Sequence, residues 1–155
     1  MLETLACLKI ICKSVHCWLN LWPGGIIESW SPIYRAENPL QVAFILLKYL
    51  TIKLEGKTES ELEGFFVSYD NICNLARLKL LKNPLPLEAP MNNLWTSINK
   101  IIDDLHIKNH RREECQELYN PSIVREVFPD VNLMTAEQVI TIVIKIIIMI
   151  LIIIK

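Results

Sequence analysis

Residues 65–75 read FFVSYDNICNL. With Glu63 and Gly64 in front, the first half has the aromatic and β-branched composition, and the length, of a strand over 63–69. The second half opens NICNLARLKLLKN, residues 71–83, whose apolar spacing predicts a helix. A strand that hands over directly to a helix favours helices layered on a sheet over a helical bundle. Asp70 stands at the joint. Ligands in α/β folds bind beyond the carboxyl ends of the strands, so a carboxylate there is a candidate functional group. The same place suits a helix N-cap, whose side chain satisfies free amides of the first turn. Spacing alone leaves both readings open.

Working upstream, ENPLQVAFILLKYLTIKL (37–54) predicts a helix, with Asn38 as N-cap and Pro39 at the first helical position. Leu40, Ala43, Phe44, Leu47 and Leu50 keep its period. GGIIESWSPIYRA (24–36) reads as a strand or hairpin around 24–35, where Pro32 implies an edge or a bend. EGKTESELEG (55–64) is a polar surface connection. Residues 1–23 form an apolar N-terminal segment without the basic start and small-residue cleavage site of a signal peptide.

Downstream, NPLPLEAPM (83–91) carries three prolines and must be an extended loop. NLWTSINKIIDDLHIKNH (93–110) begins as a helix, and KIIDDLHI within it is a short strand or the end of that helix. EECQELYNPSIVREVF (113–128) has helix propensity broken at Pro121, and FPDVNLMTAEQ (128–138) is a loop running into a helix start. Residues 139–154, VITIVIKIIIMILIII, are almost wholly apolar, broken by Thr141 and Lys145. A spanning helix takes about 20 apolar residues, and a lysine inside one is expensive. Residues 139–155 are therefore read as a low-complexity Ile-rich tail; a membrane tail-anchor and a buried strand or helix are the alternatives.

Lys+Arg 16 against Asp+Glu 17 leaves no overall basic field to argue for nucleic acid. The five cysteines, an odd number without the spacing of a secreted disulfide scaffold, point to an intracellular home in nucleus or cytoplasm. Cys7, Cys12 and Cys17, with His16, would form a mixed apolar face on a helix. No Gly-rich phosphate loop, G-x-S-x-G or H-E-x-x-H occurs.

Two groups of residues can carry chemistry. Asp70, Asp103 and Glu137 are acids placed at element ends, and carboxylates that converge make a hard-oxygen site for Mg²⁺ or Mn²⁺. Two such ions activate a water or a 3′-hydroxyl and stabilise the leaving oxygen in phosphodiester chemistry. Glu137 alternatively reads as a first-turn acid favoured by the helix dipole. Cys73, with His106, His110 and Cys115 in an H-x3-H-x4-C run, offers two thiols and two imidazoles, the donor set of a closed tetrahedral zinc site. The plain alternatives are a buried thiol and solvated histidines in the charged segment KNHRREE. The cluster Lys108, His110, Arg111 and Arg112 could touch phosphate, but a solvated face is the commoner reading.

YDNICNL (69–75), IDDLHIKNHRREEC (102–115) and MTAEQ (134–138), in that order, resemble the catalytic region of the Kyakuja-Dileera-Zisupton transposases and their domesticated relatives. The resemblance spans roughly residues 24–138. It implies a partial RNase H-like α/β fold with a Cys/His-containing insertion, and a DDE-type site cutting and joining DNA with two divalent metals. Asp70 would be the second acid and Glu137 the last, Asp103 the aspartate before the histidine pair, and Cys73, His106, His110 and Cys115 a structural zinc cluster. The first acid is missing, since residues 1–69 contain no aspartate. After Gln138 the chain departs into the isoleucine run, so it reads as an internal piece of a longer protein. The expectation is a truncated, inactive transposase-derived protein, with DNA the partner of the parent family. A domesticated zinc-stabilised module binding a protein partner, and a small protein anchored in a membrane through 139–154, are the rivals.

Overall fold

The computed structural model describes residues 5–12, 17–21, 26–33 and 38–133, with residues 138, 141, 142, 145, 146 and 149; before residue 26 it describes the backbone alone. Three strands come first, β1 (Leu5–Cys12), β2 (Cys17–Leu21) and β3 (Ile27–Pro32), then helices α1 (Pro39–Lys53) and α2 (Glu59–Glu63). β4 (Phe66–Ser68) leads into α3 (Ile72–Ala76), α4 (Lys79–Lys82) and α5 (Leu94–Ser97). β5 (Asn99–Ile101), α6 (Glu113–Leu118) and α7 (Ser122–Val127) follow.

The strands form one sheet of order β3-β2-β1-β4-β5. β1, β2 and β3 are an antiparallel meander, with Cys12 opposite Cys17 and Leu19 opposite Trp30. β1, β4 and β5 are parallel: Leu5 pairs with Phe66 and Cys7 with Ser68, then Phe66 with Asn99 and Ser68 with Ile101. Parallel neighbours cannot be joined by a tight turn, and here helices lie in both crossovers.

The strands expected around 24–35 and 63–69 are β3 and β4. The N-terminal segment, set apart at 1–23, instead supplies β1 and β2 and so the middle of the sheet. Cys7, Cys12 and Cys17, which on a helix would form a mixed apolar face, lie in these strands. A central strand reads as a continuous apolar run, and LACLKIIC has no period to tell it from a helix. KIIDDLHI resolves as a strand followed by turns, and the helix expected over 71–83 is two short ones, α3 and α4.

β4 is buried on both faces. On one side Phe65, Val67 and Tyr69 meet α1 through Val42, Ala43, Leu46 and Leu50, and share this core with Ile72, Leu75, Trp95, Cys115 and Tyr119. On the other side Phe66 and Ile101 pack with Val124 and Leu133, and the Phe66 and Phe128 rings meet edge to face at 6.1 Å. α1 starts as its sequence implies, with the Asn38 carboxamide oxygen accepting from the N–H groups of Leu40 at 2.8 Å and Gln41 at 3.4 Å. Leu40 and Phe44 point outward, because a helix apolar nearly all round does not announce its buried face. Within the isoleucine run, residues 141, 142, 145, 146 and 149 are helical, with Ile142, Ile146 and Met149 exposed. Among the described residues no helix is long and apolar enough to cross a membrane.

Candidate metal centre

Two stretches distant in sequence, the β4–α3 joint and residues 106–115, converge beyond the carboxyl ends of β4 and β5. Cys73 lies in the first turn of α3, fixed by the buried Ile72 and Leu75 on either side. His110 closes a 3-10 turn, Ile107–Asn109, by donating its backbone N–H to the Ile107 carbonyl at 3.1 Å. Cys115 sits in α6 and is fully buried. Cross-links hold α3 and the 106–116 segment together: Arg77 pairs with Glu114, and Arg112 donates to the Asn74 side chain at 3.4 Å. Gln116 Nε2 donates to the carbonyls of Ile107 at 3.1 Å and His110 at 2.5 Å, tying the histidine turn to α6. The sequence gives no sign of these braces, since an Arg, a Glu and a Gln on short helices are ordinary surface residues.

The donor atoms of Cys73, His110 and Cys115 all lie within 4.8 Å of one another. Cys73 Sγ is 3.5 Å from His110 Nδ1, although the residues are 37 apart in sequence. A tetrahedral zinc with ordinary Zn–S and Zn–N bonds sets those two atoms about 3.5 Å apart. Two thiols and an imidazole are soft to borderline donors, which suit zinc and not Mg²⁺ or Ca²⁺. The donor set and spacing therefore fit zinc. Without a cation, burial pushes the Cys73 thiol up to about 11; the neighbouring Cys115 adds to the rise, and Arg112 and Arg77 act against it. A coordinated metal inverts this balance and takes the thiolate. His106, expected in the same set, is not one of the three converging donors. Its Nδ1 instead lies 2.8 and 2.9 Å from the two carboxylate oxygens of Asp103.

Of the expected acids, Asp70 and Asp103 end neighbouring parallel strands. Ser68 pairs with Ile101, so each aspartate stands two residues beyond its strand at the same level. Asp70 is partly buried, and the Tyr69 N–H before it donates to the Ile101 carbonyl at 3.1 Å. The N-cap position of α3 falls to Asn71, and no side-chain hydrogen bond caps that helix. Asp103 is buried, 5% exposed, and its Oδ1 accepts from the N–H groups of Leu105 at 3.0 Å and His106 at 2.9 Å. Continuing the β1–β4 register two residues past Ser68 brings position 9, a lysine, level with Asp70. Glu137 lies outside the described residues. Among the described residues Cys73, His110 and Cys115 are the one group of three or more metal-ligating side chains that converges. No family model, curated protein or solved structure matches the chain.

Proposed function

We propose that this chain is a zinc-stabilised module of RNase H-like fold, derived from a DNA cutting-and-joining transposase, in which the scaffold is kept and the chemistry is lost. The observation that carries the reading is the convergence of Cys73 with His110 and Cys115, 37 or more residues further along the chain, which only the fold brings together. All three belong to the motifs YDNICNL and IDDLHIKNHRREEC that resemble the Kyakuja-Dileera-Zisupton transposases. The sheet supports the fold assignment: an antiparallel three-strand meander flanked on the β1 side by two parallel strands, order β3-β2-β1-β4-β5, is the arrangement of RNase H-like domains.

Loss of chemistry rests on the acids. Two-metal phosphodiester chemistry needs carboxylates that share the ions. Continuing the β1–β4 register beyond Cys7 and Ser68 puts a lysine, Lys9, beside Asp70, and Asp103 spends its Oδ1 on two backbone amides and a histidine. What remains is a zinc-held scaffold that acts through binding. Incubation of the zinc-loaded protein with supercoiled plasmid and Mg²⁺ or Mn²⁺ tests this: the plasmid should stay supercoiled. Nicking that disappears in Asp70→Ala would show a working acidic site and sink the reading.

A further inference from the structure

We infer that the open edge of the sheet at β3, together with the cleft between β3 and α1, takes up an extended acidic peptide from a partner protein. β3 is the outermost strand of the order β3-β2-β1-β4-β5, so among the described residues only one of its sides is paired with another strand. An open strand edge offers backbone N–H and C=O groups that a guest strand can extend. Pro32 closes the edge, since it has no N–H to give. The cleft shares no residue with the metal centre, so the inference stands apart from the zinc reading.

The cleft has a volume of about 440 Å³. Trp30 from β3 lines it with Ile45 and Ile52 from α1, and Trp30 and Ile52 are each 68% exposed. A single bare apolar side chain calls for no explanation. An indole and an isoleucine left bare on one cleft, beside an open strand edge, make a seat for an apolar side chain. The polar lining decides what accompanies that side chain. The Glu28 carboxylate accepts from the Tyr49 hydroxyl and from Lys53 Nζ, the latter at 2.5 Å. Both its oxygens are thus engaged, and the Lys53 charge is balanced within the cleft. Lys48 lines the same cleft, is exposed, and makes no ion pair among the described residues. The cleft therefore sets one uncompensated cation beside an apolar seat. Successive side chains of a strand point to opposite faces, so a guest strand meets the cleft with every second residue. The guest that matches carries an apolar residue and a carboxylate on the same face. A second copy of this chain matches less well, because its β3 edge would bring another Lys48 and a Glu28 that is already held.

The test uses the full chain and a fluorescein-labelled peptide, Thr-Leu-Thr-Glu-Thr-Leu-Thr-Glu-Thr, which puts leucine and glutamate on one face and threonine on the other. Fluorescence anisotropy should show saturable binding, and amide ¹H–¹⁵N spectra should show the largest shifts in β3. Lys48→Glu and Trp30→Ala should each weaken the peptide by about tenfold or more. Both side chains are exposed, so neither change removes a core contact. A peptide with lysine in place of glutamate should reverse the preference and bind Lys48→Glu better than the wild type. A wild-type chain that does not bind the glutamate peptide, or binds it as well after Lys48→Glu, overturns the inference. N-acetylglutamate binding as tightly as the peptide would also overturn it, by marking a site for small acids. So would a dimer held through β3, which would make a second copy the occupant. Zinc content is measured apart from this, so failure here leaves the metal centre standing.

Discussion

Cys73 is the residue on which the centre turns, because it alone brings a donor from the β4–α3 joint to the 106–115 segment. Cys73→Ser exchanges a soft ligand for a poor one with little change of volume, so its expected effect is on the metal more than on the fold. Zinc affinity should fall by more than the roughly 100-fold typical of an outer partner, measured by chelator competition. Arg77→Ala is the contrasting change. The Arg77–Glu114 pair is well exposed, and solvent screening leaves such pairs little net stabilisation. Zinc affinity in that variant should stay within about fivefold of wild type, the most that an exposed pair contributes. Lys9→Asp puts a carboxylate on β1, which has none, where its continued register meets Asp70. The expected outcome is a gain of Mn²⁺ binding, seen as quenching of the free-ion EPR signal, against no quenching in the wild type. Equal quenching in both would show that the lysine is irrelevant to the acidic end of the sheet.

Among the elements, α1 separates what pattern can say from what only packing can. Its ends were legible: Asn38 and Pro39 give the start in sequence, and the Asn38 side chain does cap the helix. Its face was not, because PLQVAFILLKYLTIK offers apolar residues in every direction and the sheet selects Val42, Ala43, Leu46 and Leu50. Leu46→Ala and Leu50→Ala should each cost about 2–5 kcal/mol by urea denaturation in saturating zinc. Phe44→Ala, at a position 72% exposed, should cost about 0.5 kcal/mol or less. The reverse ranking would mean that α1 sits on the sheet by another face. α2 is a smaller case. The Thr58 hydroxyl accepts from the Glu61 N–H at 3.4 Å, and the Glu61 carboxylate returns to the Thr58 N–H at 2.9 Å, a capping box. Thr58→Ala should cost about 1 kcal/mol, read from the same unfolding curves.

For the whole molecule, the α/β class and the two strands around 24–35 and 63–69 could be read in sequence, because strand composition and helix period alternate there. The two N-terminal strands could not: the cue that separates strand from helix is alternation, and LACLKIIC has none. The same limit applied to the site. The motif order around Cys73, His110 and Cys115 named three residues that do converge, whereas the role of Asp103 depends on hydrogen bonds that spacing does not reveal. A zinc ion held by α3, the histidine turn and α6 would link the helices that follow β4 to those that follow β5, so its removal should loosen much of the chain. With free zinc at a hundred times the dissociation constant, the native state gains about 2.7 kcal/mol, and chelation should lower the thermal midpoint correspondingly. The most direct test of the centre is metal content. Chain expressed with zinc in the medium and purified without chelator should carry one zinc per molecule by native mass spectrometry and elemental analysis, and Cys73→Ser none. A folded wild-type chain that carries no zinc, and takes none up when titrated, would contradict the zinc-stabilised module.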